Sequence, residues 1–210
     1  MFFRSKIKFQ LSELQFFYKT IGVNKNWTDF KDMLHLLPWF GRQYEKLENT
    51  ELAAAEILPN IKGAPQSRER AESYYWYIAN NMNWNHSYSF SMERIVPLDT
   101  IYQERQGSSG ELNLLLLALL RRDSFEANPV LLSTRSNGRP YTDFPLIDQF
   151  DHVMVQVVVD SSVIIMDALD PLRPPNYPDM EALNGQGLLL KTDTAYWIPI
   201  TPPKIGRAHV

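Results

Sequence analysis

The spacing of hydrophobic positions changes character near the middle of the chain. In the first half the apolar residues recur at helical spacing. Residues 50–57 form a short Ala-rich pattern ending before Pro59, and residues 67–82 carry Ala71, Tyr74, Tyr75 and Ile78 on one stripe. Both predict helices. Asn26-Trp27-Thr28-Asp29 opens another helical pattern through Phe30, Met33, Leu36 and Leu37, capped by Asn26 or Thr28 and limited by Pro38. Residues 6–10 read as a strand, and the apolar stretch through Phe17 and Ile21 fits either period. Residues 83–108 mix Asn, Ser and aromatics without a period and predict a long ordered loop. The next segment is apolar on nearly every face, from Leu112 until Arg121-Arg122. A helix of that kind is buried all round. Ser108 and Glu111 stand at its start with the spacing of a capping box. Beyond it the period becomes two, predicting strands over 128–134, 151–159, 162–168, 187–192 and 195–200. Ten of the 14 prolines fall at or after Pro129, which makes this half loop-rich, with an irregular stretch over 171–178 and a frayed tail over 206–210. Helices first, a buried helix in the middle and an antiparallel sheet after it make an α+β fold.

Composition narrows the function classes. The formal net charge of −3 offers no basic surface of the kind that nucleic-acid binding needs. The longest apolar run, residues 114–120, is too short to cross a bilayer, so no transmembrane segment is expected. Cysteine is absent, which removes disulfides, thiolate metal sites and a thiol nucleophile. Met1-Phe2-Phe3 is followed at once by Arg4, Lys6 and Lys8, so the apolar core of a signal peptide is missing. The sequence leaves the compartment open: periplasm or envelope for an exported parent protein, cytoplasm otherwise.

Three residues point to chemistry together: Ser109, His152 and Asp167. Ser109 falls in the first turn of the buried helix, where its own N–H and the following ones favour a developing oxyanion. His152 and Asp167 fall on successive strands. If Asp160-Ser161 is a two-residue turn, Val159 pairs with Ser162 and Asp167 comes opposite Met154, diagonal to His152. A slip of one residue would separate them. The matching chemistry is acyl transfer, with serine as nucleophile, histidine as base and aspartate as its orienter. Gly107-Ser108-Ser109-Gly110 is not the nucleophile elbow G-x-S-x-G.

The same blocks carry a resemblance. Residues 107–121, Gly-Ser-Ser-Gly-Glu-Leu-Asn-Leu-Leu-Leu-Leu-Ala-Leu-Leu-Arg, resemble the transglutaminase-like superfamily pattern G-x-C-x-D followed by an apolar helix ending L-L-R. Asn128-Pro129-Val130-Leu131-Leu132-Ser133-Thr134-Arg135 is similar to the strand after that helix, Phe150-Asp151-His152-Val153 to F-N-H-V, and Met166-Asp167-Ala168-Leu169-Asp170-Pro171 to L-D-A-T-D-P. The resemblance runs from about residue 67 to 190. It implies a transglutaminase-like, papain-like α+β fold with a Cys-His-Asp triad. No cofactor is expected. Ser109 stands at the cysteine position and Asp151 at the asparagine position, while His152 and Asp167 are kept. A serine hydroxyl lacks the easy ionisation of a thiol beside histidine. Residues 6–200 also resemble the central part of large bacterial multidomain proteins with this serine-substituted module. That likeness implies that residues 1–25 are a remnant of, or linker from, a preceding β-rich domain and that residues 26–205 form the transglutaminase-like domain.

The expectation is a catalytically degenerate module that binds or scaffolds, with a peptide, protein or cell-wall-derived ligand, or flanking domains of its parent, as partner. The alternative is a weak Ser-His-Asp hydrolase or acyltransferase on peptide-type amide or ester bonds. Trp84, Tyr88, Phe90, Gly107 and Ser108 are the expected cleft lining. Tyr74, Tyr75, Trp76 and Tyr77 read as core. His35 and His86 have no ligand partner at useful spacing, and Asp148, Asp151 and Asp170 match no EF-hand pattern, so no metal is expected. Arg68, Arg70, Arg121 and Arg122 read as solvated faces.

Overall fold

A computed structural model describes the backbone of residues 13–16 and 19–22, and residues 50–201 apart from positions 93, 95, 144–146 and 193. The strand expected over 6–10, the helix expected over 26–37, His35 and the tail 206–210 lie outside the described residues. Strands β1 (Glu13–Phe16) and β2 (Lys19–Gly22) pair antiparallel, Glu13 opposite Gly22. They fall on the stretch whose period was ambiguous.

Helix α1 (Glu51–Ile57) buries Ala53 and Ile57 and runs into a single 3-10 turn over Leu58–Asn60. Thr50 precedes it without a side-chain cap. Its free N–H groups are taken instead by Asp99, whose carboxylate accepts from Leu52 N and Ala53 N at 3.2 and 2.9 Å. Helix α2 (Arg68–Asn81) is capped by Ser67, which accepts from Arg70 N, and buries Ala71, Tyr74, Tyr75 and Ile78 as its periodicity predicts. The Arg70 side chain is not solvated as expected: it forms a half-buried ion pair with Asp123. Arg121 stays exposed as expected, while its Nε donates to Ala127 O at 2.8 Å.

The expected loop over 83–108 holds three elements. Strand β3 (Asn83–Trp84) pairs parallel with β4 (Gln106–Gly107), and helix α3 (Leu98–Glu104) lies between them. The helix has a signal in Leu98, Ile101 and Tyr102, which are its buried residues. Two turns bracketed by Pro97 and a left-handed Arg105 are too short for their period to stand out.

Helix α4 (Ser109–Arg122) begins with a complete capping box. Glu111 N donates to Ser108 Oγ, and Ser108 N donates back to Glu111 Oε2. Every residue from Ser109 to Leu120 is buried. The reason is its surroundings: α2 and α3 pack on one side, and β5 (Glu126–Leu132) and β6 (His152–Val159) on the other. With no solvent side, leucine can occupy every position. Leu116→Ala is therefore expected to cost about 3 kcal/mol in urea unfolding, the ordinary result of an unfilled core site. A loss under about 1 kcal/mol would contradict this packing.

The main sheet has the order β7-β6-β5-β8-β9, every neighbour antiparallel, with β7 spanning Ser162–Met166, β8 Gly185–Leu190 and β9 Ala195–Ile200. Alternation along the strands separates two apolar layers. Val153, Val155, Val157 and Leu131 join the leucines of α4, whereas Met154, Val130 and Leu132 join Leu189 and Ala182 on the other face. The link from β6 to β7 is the two-residue turn Asp160-Ser161, both at positive φ, and Val159 pairs with Ser162 as the register argument requires. The strand expected over 162–168 stops at Met166, which leaves Asp167 just past its end.

Candidate functional site

Three element ends meet over the first turn of α4. Ser109 is its first residue, His152 is the first residue of β6, and Asp167 follows β7. The two-residue turn sets the β6–β7 register, so His152 and Asp167 come together although 15 positions apart. His152 Nε2 lies 3.2 Å from Asp167 Oδ2, and His152 Nδ1 lies 3.0 Å from Ser109 Oγ. With the carboxylate accepting from Nε2–H, Nδ1 presents its lone pair to the Ser109 hydroxyl. The Asp151 carboxylate holds the approach to β6, accepting from Thr134 N at 2.7 Å and Thr134 Oγ1 at 2.6 Å.

A fourth residue supports the group. Asn113 lies one helical turn below Ser109 and is wholly buried. Its Nδ2 donates to Asp167 Oδ1 at 2.8 Å and to Val153 O at 3.0 Å, and its Oδ1 accepts from Ala168 N at 2.9 Å. One amide thereby ties the helix to both strands that carry the other two residues. The sequence does hold a signal for it: Asn113 is the one polar residue between Leu112 and Leu120 in a helix otherwise buried in apolar side chains.

Residues 84–91 cross over Ser109 as a strap. Ser89 N donates to Ser109 Oγ at 2.8 Å, and Ser109 Oγ is within 3.1 Å of Ser89 O. The hydroxyl thus has two acceptors, Ser89 O and His152 Nδ1, for a single proton. Ser109 N donates to Ser87 O at 3.0 Å, and Trp84 Nε1 donates to the same carbonyl at 3.0 Å. The expected oxyanion role of the Ser109 N–H is therefore corrected: a main-chain carbonyl of the strap already holds that donor. Ser91 O approaches Gly110 so closely that a Cβ there would stand 2.2 Å from it. The Tyr88 ring meets the His152 ring edge-on at 5.3 Å, and Trp84 meets Tyr88 at 5.1 Å. Ser109 and His152 are 0% exposed and Asp167 5%.

The expected cleft residues divide accordingly. Trp84 and Tyr88 belong to the strap, and Phe90 packs toward Phe150 at 6.4 Å. Gly107 and Ser108 are buried at the helix start rather than open to a cleft, because the capping box fills the space around them. Arg94 pins the far side of the strap region, donating to Glu111 Oε1 at 3.2 Å and to Glu104 Oε2 at 2.6 Å. The His86 ring meets the Trp84 ring at a tilt of 53°, with centroids 4.9 Å apart. Among the described residues no three His, Asp or Glu side chains are grouped as metal ligands.

Charge around the strap is set by burial and nearby carboxylates. Burial pushes the Tyr88 phenol up to about 12, and Asp179, Asp167 and Glu181 add to the shift against Arg173. Burial likewise raises Tyr74 to about 12, with Asp123 adding to it. Burial disfavours the Asp179 carboxylate, but the Glu181 amide and the Arg173 guanidinium outweigh it and hold Asp179 below the usual range. Tyrosines with raised values keep their full contribution to stability below about pH 10 and lose it as pH rises through about 12. Alkaline unfolding should therefore set in above about pH 10, with the last part of the tyrosinate absorbance, that of the buried rings, rising in step with loss of helix circular dichroism. Tyrosinate absorbance that completes at about pH 10 in the folded protein would contradict the burial of these rings.

No family model matches the sequence, and no curated protein matches it. Solved structures resemble the fold. A crystal structure from Parabacteroides distasonis, provisionally named a protease, aligns with a TM-score of 0.53 at 16% identity, covering 86% of this chain and 32% of that one. The fold is papain-like. A chain from Cytophaga hutchinsonii, provisionally named a cysteine protease, aligns at a TM-score of 0.42 and 17% identity over 75% of this chain and 48% of that one. A structure named as a TGase aligns at 0.37 and 11% identity over 69% and 32%. These two are too distant to bear on function. The chain spans about a third of the length of the Parabacteroides chain, 32% of it. No helix among the described residues is long and apolar enough to cross a membrane.

Proposed function

We propose that this papain-like domain is a binding or scaffolding module whose Ser-His-Asp group is held closed and does not turn over. The observation that carries the reading is the capture of Ser109 by the strap. Its hydroxyl is engaged by Ser89 and its N–H by Ser87. A substrate carbonyl would need the space those main-chain groups fill, and the oxyanion would need the N–H that Ser87 O accepts. Serine in place of a thiol points the same way, since a hydroxyl depends wholly on base assistance and a free oxyanion site. In this reading residues 26–205 are the module, residues 1–25 end a preceding β-rich domain, and the partner is a peptide, a protein, a cell-wall-derived ligand or a flanking domain of a bacterial envelope protein.

The chain has no cysteine, so Ser109→Cys introduces a unique thiol. In native buffer that thiol should react with an aromatic disulfide reagent about 100-fold more slowly than in denaturant, as a group reached only by local opening does. Fast stoichiometric reaction of the native protein would contradict closure.

A second reading has its own observation in support: both His152 nitrogens are engaged in the order that acyl transfer uses. With the strap withdrawn, Ser109 Oγ would attack an amide or ester carbon. His152 Nδ1 would take the hydroxyl proton and pass it to the leaving group, and water would release the acyl group by the reverse proton path.

A further inference from the structure

A groove of about 620 Å³ lies between the segment after β5 and the segment leading into β8, lined by Arg135, Arg139, Pro140 and Thr142 on one wall and residues 183–186 on the other. We infer that it binds the carboxylate of a peptide. The inference gives the binding-module reading a ligand class and rests on that reading.

Charge is the first argument. Arg68, Arg70, Arg94, Arg105 and Arg173 each hold a carboxylate. Arg135 and Arg139 hold none among the described residues, and both line this groove. Arg135 Nε donates to Leu183 O at 2.9 Å, which fixes its guanidinium against the opposite wall. Of the nearby acidic residues, Glu181 turns one carboxylate oxygen to Ser136 N at 3.0 Å, and Asp143 follows the lining residue Thr142 on the exposed side. Two planar guanidinium groups without an anion match the paired donors that a carboxylate takes.

Rigidity is the second. Asn184 Nδ2 lies within 3.0 Å of Ser133 O, 3.2 Å of Thr134 O and 2.9 Å of Gly138 O, so one side chain ties the two walls together. Ser133 Oγ closes the same turn by donating to Gly138 O at 2.6 Å. Walls fixed before a ligand arrives need not be ordered by it. Position is the third. Leu132 of β5 pairs with His152, Thr134 is bonded to Asp151, and Arg135 comes next. The groove therefore opens at the end of the sheet that carries His152.

The test is a titration of the whole chain followed by amide NMR, with N-acetyl-alanyl-alanine, its C-terminal amide and inorganic phosphate as probes. The free acid is expected to give saturable shifts confined to residues 135–142 and 183–186. Arg135→Gln and Arg139→Gln should each weaken it about tenfold without disturbing the His152 signals. Both side chains are exposed, so folding is not at risk. Equal binding of the amide, tighter binding of phosphate, or no saturable shift would overturn the inference. None of these results touches Ser109 closure, which the thiol experiment reads separately.

Discussion

Gly110→Ala should lift the strap from Ser109. A Cβ at this position would stand 2.2 Å from Ser91 O, 2.8 Å from Ser91 C and 2.9 Å from Ser89 O. All three are main-chain atoms, so no side-chain rotation relieves the clash. The helix cannot yield either, because α4 is enclosed by α2, α3 and the sheet. The strap must move, and Ser109 then loses its bonds to Ser89. A cost of about 2 kcal/mol is expected, in the range for overpacking a filled site. In a Ser109→Cys background the same change should raise thiol reactivity at least about tenfold, and the Ser89 amide should exchange faster. Unchanged stability together with unchanged exchange at Ser89 would show that the strap is not seated as described.

Asn113→Ala should be strongly destabilising, with an expected cost of several kcal/mol set by its three buried hydrogen bonds. It removes a donor from Asp167 Oδ1 and Val153 O and an acceptor from Ala168 N, all in a buried place. Each buried group left without a partner costs roughly 1–3 kcal/mol, so a total near 3 kcal/mol in urea unfolding is expected. Asn113→Asp keeps the acceptor for Ala168 N but sets a second carboxylate against Asp167, and should not rescue the loss. The effect should reach beyond stability. With Asp167 no longer held on its far side, the His152 ring should lose its single tautomer, which nitrogen NMR resolves. A loss under about 1 kcal/mol with one tautomer retained would mean that Asn113 merely fills space.

These two residues mark what the sequence made legible. The leucine run with its S-x-x-E start predicted α4 and its cap, because an enclosed helix and a capping box are both written in adjacent positions. The Asp160-Ser161 turn predicted the β6–β7 register, and with it the meeting of His152 and Asp167. The α+β order followed from the change of period. What was illegible depends on contacts distant in sequence. Nothing near Ser87 or Ser89 announces that their main chain lies on Ser109, 20 positions away for Ser89. The periodless stretch over 83–108 hid both the strap and α3. The Ala-rich pattern over 50–57 gave the helix but not its cap, because Asp99 caps α1 from 46 positions away at Ala53. Arg70 looked like a surface residue because its partner, Asp123, follows a different helix.

The most direct test of a closed, non-turning-over Ser-His-Asp group is intact-mass detection of labelling by a broad fluorophosphonate probe, run beside Ser109→Ala. Closure predicts no adduct on the folded wild-type protein, with the same mass as the variant. A stoichiometric adduct on the wild type that Ser109→Ala abolishes would contradict it and establish a working serine nucleophile beneath a strap that opens.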